Sequence, residues 1–163
     1  MNNSHGIFME IYQVINGCLV MEDTVAAIYS YFMQLFPEEE AFWKDLYEDE
    51  KDHTSFLVES ADKGNFDEMQ AAQLGFSMPL LDRTQTFIAN IMNRVKLSPV
   101  SLEDALNIAL KIEETTVEAF TNELMACLSP ADKDAFLNIL MQEKTHIAKI
   151  KNRMIEKGFL KLA

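Results

Sequence analysis

Residues 43–57 read WKDLYEDEKDHTSFL, and residues 136–150 read FLNILMQEKTHIAKI. In the first stretch Trp43, Leu46, Glu50, His53 and Leu57 recur at offsets of three and four, the spacing of one α-helical face. In the second, Phe136, Ile139, Leu140, Glu143, His146, Ile147 and Ile150 do the same. Each face is apolar apart from one Glu-x-x-His pair, so carboxylate and imidazole occupy adjacent turns and point inward. A buried carboxylate with no compensating partner is strongly unfavourable, and each of these needs a physical reason.

Two further stripes carry the same anomaly. On a helix expected from Ile7 to Phe36, Glu22 lies among Ile15, Cys18, Leu19, Val25, Ala26 and Tyr29 at helical offsets. On one expected from Ser101 to about Leu128, Glu113 has Leu106, Ala109, Leu110, Val117 and Phe120 as its helical neighbours, whereas adjacent Glu114 has Asn107, Lys111, Glu118 and Thr121. Glu113 is the inward one. Along the chain the order is Glu, Glu-x-x-His, Glu, Glu-x-x-His. Glu22 and Glu50 are 28 residues apart, Glu113 and Glu143 are 30 apart, and the halves are offset by 91 and 93 residues. Such spacing describes a helical hairpin present twice.

The rest of the sequence punctuates these helices. Pro37 ends the first, and Glu38-Glu39-Glu40 supplies the negative charge a helix start favours, placing the second from about Glu38 to a cap at Lys63-Gly64. Between Asn65 and Pro99, Gly75 and Pro79 interrupt the pattern, and Leu80–Val95 is expected as one helix within a crossover. Ser101 with Asp104 behind it reads as a helix N-cap. Ser129-Pro130 repeats the signal and opens a fourth long helix that closes at Lys157-Gly158. At 163 residues the chain accommodates a single domain, 1–163. Only 5 Gly and 4 Pro are present, which disfavours disordered and turn-dense β architectures. The expectation is an all-α fold, four long helices and a middle one.

The formal charge of −12 argues against nucleic acid and anionic membranes as partners and in favour of cations. Cys18 and Cys127 form no CxxC, which excludes a thiolate zinc site and a disulfide scaffold and fits a cytoplasmic protein. Met1–Gly6 lacks the pattern of a secretory signal, and no uncharged apolar run is long enough to span a membrane. Four inward Glu and two inward His suit two divalent metal ions, whose four positive charges would balance four carboxylates. Oxygen and imidazole donors without thiolate suit iron, with manganese or zinc as alternatives.

Glu22, Glu50-Lys51-Asp52-His53, Glu113 and Glu143-Lys144-Thr145-His146 together resemble the ligand pattern of the ferritin-like di-iron carboxylate proteins, rubrerythrin-like branch, over about Ile7 to Gly158. The resemblance implies an up-down four-helix bundle with a long crossover. It implies two Fe ions per chain held by Glu22, Glu50, His53, Glu113, Glu143 and His146, leaving open which carboxylates bridge and which are terminal. It gives the four Glu a catalytic role, and Tyr29, one heptad beyond Glu22, a hydrogen-bonding role beside the cofactor. The implied activity is an oxidoreductase of peroxidase or ferroxidase type acting with O₂ or peroxide, in a bundle that could also form a homodimer. This chain lacks the cysteines of a rubredoxin domain, so electrons would come from a separate donor. Leu110 and Thr116 stand where rubrerythrins tend to carry an additional carboxylate near the third-helix ligand, and no short fifth helix follows as in cage-forming ferritins. A non-catalytic metal-sequestering protein and a metal-free helical interaction module are the competing expectations.

Overall fold

A computed structural model describes residues 3–62, 71–119 and 130–161. Five α-helices make up almost all of it: α1 (Asn3–Leu35), α2 (Glu40–Asp62), α3 (Ala71–Leu97), α4 (Leu102–Ala119) and α5 (Pro130–Glu156), with a 3₁₀ turn at Pro37–Glu39 between the first two. No strand occurs among the described residues.

The turn after α1 has a local cause. Pro37 cannot continue a helical ladder, and the Glu39 N–H instead donates to the Phe36 carbonyl at 2.9 Å, tightening the chain into one 3₁₀ turn. The reversal lays α2 along α1 and brings their aromatic residues together. The Phe32 and Phe42 rings each lie 4.9 Å from the Trp43 ring, and Tyr29 stacks on it at 5.9 Å. Tyr29, Phe32 and Trp43 are fully buried, so this cluster supplies much of the hairpin's apolar packing.

Helix α3 packs against α1 and, more lightly, against α4, while α4 packs on α5. The crossing of α3 on α1 is possible because residue 17 is glycine. A Cβ there would lie 2.5 Å from Leu81 Cδ2, and the Gln85 side-chain amide donates to the Gly17 carbonyl at 2.5 Å. Close approach of the Leu81 and Gln85 side chains to the α1 backbone thus accounts for a residue that propensity alone marks as a weakness.

Two expectations for the crossover change. Its helix spans Ala71–Leu97 rather than Leu80–Val95, with Pro79 inside it. Proline removes one hydrogen bond and its ring abuts the carbonyl four residues earlier, but that carbonyl belongs to Gly75, whose backbone is the easiest to adjust. Beyond the proline, Leu81, Ile88 and Val95 pack into the core and anchor the rest of the helix. The second helix also starts later than Glu38, because Glu38 and Glu39 belong to the 3₁₀ turn.

The caps follow their sequence signals where they are described. Ser101 Oγ accepts from the Asp104 N–H at 3.1 Å, and the Asp104 carboxylate accepts from both the Ser101 hydroxyl and its N–H. Gly158 adopts φ 77°, and the Phe159 N–H reaches back to the Met154 carbonyl at 2.8 Å, closing α5 with a left-handed cap. The Lys63-Gly64 cap, the end of the third long helix near Leu128 and the Ser129 cap lie outside the described residues. Among the described residues no helix is long and apolar enough to cross a membrane.

A second fastening joins the halves. Glu39 is 2% exposed and takes charged hydrogen bonds from Arg153 and Lys157 at the end of α5, the Arg153 Nε contact being 2.6 Å. Burial would push its carboxyl upward, but the two cations outweigh that and hold it below the usual range.

Candidate metal centre

Glu22 from α1, Glu50 and His53 from α2, Glu113 from α4, and Glu143 and His146 from α5 are all 1% exposed or less. Each has the helical position the sequence stripes require. Glu114 instead reaches the surface, where Lys151 lies 3.5 Å away.

The six side chains form two overlapping quartets. Glu22, Glu50, His53 and Glu143 make one; Glu50, Glu113, Glu143 and His146 make the other, and within each quartet the donor atoms lie within 4.8 Å of one another. Glu50 and Glu143 belong to both, whereas Glu22 and Glu113 belong to one each. The sequence left these roles unsorted, and the geometry separates shared carboxylates from unshared ones.

The inward atoms lack partners. Both oxygens of Glu22 and of Glu143, Glu50 Oε1, and Nδ1 of both histidines are buried and make no hydrogen bond. His53 Nδ1 faces Glu143, Glu50 and Glu22 at 3.2, 3.4 and 3.5 Å, and His146 Nδ1 faces Glu50 and Glu113 at 3.3 and 3.5 Å. Buried polar atoms in folded proteins are overwhelmingly satisfied, so a group of orphans aimed at common points calls for a ligand. Oxygens and imidazole nitrogens around one centre fit a divalent cation, and two such centres fit two.

Comparison with family models, curated proteins and solved structures yields no match to this chain. What the centre can do is argued from its own atoms.

Without a cation the cluster balances itself with protons. Burial would push the His146 imidazole down, but Glu113 and Glu50 outweigh it and hold it up at about 10; His53 is raised further by Glu143, Glu22 and Glu50 against the same opposing burial. Burial and the neighbouring Glu50 charge push Glu22 well up, and burial with Glu113 and Glu50 does the same to Glu143. Glu50 goes the other way: burial opposes ionisation, but both imidazoles favour it and hold its carboxyl low. The metal-free centre therefore stores protons that a cation would displace.

Around the six lie residues that orient them. The Tyr29 hydroxyl donates to Glu113 Oε1, so the tyrosine that follows Glu22 by seven positions serves the carboxylate from α4 rather than Glu22. Burial first, then the Glu113 charge, keep that hydroxyl protonated far above its ordinary range. His53 Nε2 donates to Gln142 Oε1 at 2.7 Å, and His146 Nε2 donates to Asp49 Oδ2 at 3.0 Å. Both outer partners immediately precede a Glu-x-x-His glutamate and serve the histidine of the opposite helix. Lys149 in turn donates to Asp49 at 2.9 Å and to Asp45 at 2.6 Å. The sequence reading did not single out Asp49, Gln142 or Lys149; the shared offset of minus one from Glu50 and Glu143 was the available signal.

Proposed function

We propose that this chain is a ferritin-like, rubrerythrin-like di-metal carboxylate protein whose centre holds two ions, preferably iron, and supports an oxidoreductase reaction with O₂ or peroxide. The observation that carries the reading is the set of partnerless buried carboxylate and imidazole atoms from α1, α2 and α5 that, with Glu113 of α4, converge on two overlapping centres. Four ionised carboxylates and two neutral imidazoles compensate two divalent ions in full, which relieves the burial penalty of the empty cluster.

When bound, such a pair of ions supplies electrons and Lewis acidity for reduction of the oxidant. The residues of the chain set the conditions. Glu50 and Glu143, common to both quartets, would serve both ions; Glu22 with His53 would hold one, and Glu113 with His146 the other. Nε2–H donation to Gln142 and Asp49 fixes both imidazoles with Nδ1 facing inward, the form able to coordinate. Tyr29 restrains Glu113 and holds a proton at its hydroxyl beside the centre.

The test is anaerobic reconstitution with Fe(II) followed by metal counting. About two ions per chain are expected, together with consumption of peroxide in the presence of a generic reductant. Content well below that value, or uptake undiminished in Glu50→Ala/Glu143→Ala, overturns the reading. Full occupancy without peroxide consumption would retain the centre and replace the oxidoreductase with metal sequestration.

A further inference from the structure

The two metal positions of the proposed centre are nearly symmetric in their inward donors and differ in what stands behind them. Behind His146 is a carboxylate. Asp49 is half-buried, accepts the Nε2 proton, and is held in place by Lys149, which also bridges to Asp45. Behind His53 is the neutral amide of Gln142, an exposed side chain with no such clamp among its described contacts. The inward carboxylates differ in the same sense: Glu113 is restrained by Tyr29, whereas neither oxygen of Glu22 has a hydrogen-bond partner.

The orientation of Gln142 follows from the site itself. A metal-binding His53 must present an unprotonated Nδ1 inward, which places its proton on Nε2 and requires an oxygen acceptor at 2.7 Å. That acceptor carries no charge. A carboxylate behind a ligating imidazole raises its basicity as a donor, and loss of such a partner typically lowers metal affinity about 10- to 100-fold. The His146 position has this support; the His53 position lacks it.

The surface differs too. A groove of about 510 Å³ between α2 and α5 is lined by His53 together with Gln142, Asp52, Phe56, Asn138 and Thr145. It meets the otherwise buried imidazole on the side where the exposed Gln142 holds it. The groove further along the same helices is lined by Phe42, Asp45, Lys149 and Arg153, and His146 is not among its walls. Lys149 lines that groove and holds Asp49, the partner of the His146 imidazole.

We propose that the centre comprises one resident and one exchangeable metal position: the ion at His146, Glu113 and the shared carboxylates is held tightly, and the ion at His53 and Glu22 is held more weakly and is exchanged through the groove beside Gln142. The identity of residues 49 and 142, aspartate against glutamine, sets the difference. This inference rests on the di-metal reading above, and its test separates the two.

Metal-free protein is titrated with Co(II) under anaerobic conditions by calorimetry, and crystals grown with one equivalent of Co(II) are examined by anomalous scattering. Two steps are expected, with dissociation constants about 10- to 100-fold apart, and the first equivalent at His146. Gln142→Asp, at an exposed position, should bring the two steps together, while Asp49→Asn should weaken the first step and leave the second nearly unchanged. The inference fails if both ions bind in one step of equal affinity, if the first equivalent settles at His53, or if Gln142→Asp leaves the separation of the steps unaltered. Absence of any Co(II) uptake would remove the di-metal reading and the inference with it, an outcome unlike those three.

Discussion

Filling the centre should expel protons, and the number can be worked from the structure. His146 is held at about 10 by Glu113 and Glu50 against the opposing effect of burial, and His53 is raised further still. Both are imidazolium at pH 7 in the metal-free protein. Coordination through Nδ1 requires each to lose a proton, which sets a minimum of about two protons per chain for two ions. Glu22 and Glu143 are also raised by burial, and protonation of both would take the total to about four. Removing the His146 proton alone costs about 4 kcal/mol at pH 7, three pH units at 1.36 kcal/mol each. Proton release makes uptake more favourable as pH rises, so the overall constant for two ions should increase at least about 100-fold per pH unit over the range in which both imidazoles are charged. Calorimetric titration with Zn(II) at pH 7, in buffers of different ionisation enthalpy, counts the protons directly. Fewer than about one proton per chain, or an affinity that is flat or falls with pH, would refute the assignment of these imidazoles as ligands.

Other expectations follow from the same groups. In the metal-free protein a raised His146 stabilises the fold fully below about pH 6.5 and loses that contribution as pH climbs through about 10, so the apo melting temperature should fall across this window. The difference between loaded and apo melting temperatures should widen over the same window. Glu50→Ala should remove both ions because Glu50 faces both positions, whereas Glu22→Ala should leave about one; metal analysis after desalting distinguishes them. Tyr29→Phe keeps the ring on Trp43 but leaves the buried Glu113 oxygen without its donor, an expected loss of about 1–3 kcal/mol in denaturant unfolding of the apo protein. Gly17→Val drives a branched side chain into Leu81 and Gln85 and should cost about 1–3 kcal/mol by the same measurement, despite valine's higher helix propensity.

Much of this arrangement was legible in the sequence because helical periodicity converts position into direction. Glu113 and Glu114 are neighbours in the chain, and the register alone separated the inward residue from the outward one. Periodicity says nothing of how two helices are shifted along each other. Whether Glu50 or Glu22 faces both metal positions depends on that shift, as does the reach of Tyr29 to α4 instead of along its own helix. Asp49 and Gln142 escaped notice for a related reason: each sits beside a glutamate at the edge of the stripe, where a polar residue looks solvated until the opposite helix is in place. Pro79 was read as an interruption because local propensity disfavours proline inside a helix, and the apolar stripe of Leu81, Ile88 and Val95 begins only after it.

The contact between Glu39 and the last turn of α5 bears on how the two halves of the molecule are joined. α2 and α5 face each other through His53 with Glu143 and His146 with Glu50. Arg153 and Lys157, closing on a single buried carboxylate, tie the turn before α2 to the end of α5. A single carboxylate at the α1–α2 turn thereby fastens the start of the second helix to the end of the last.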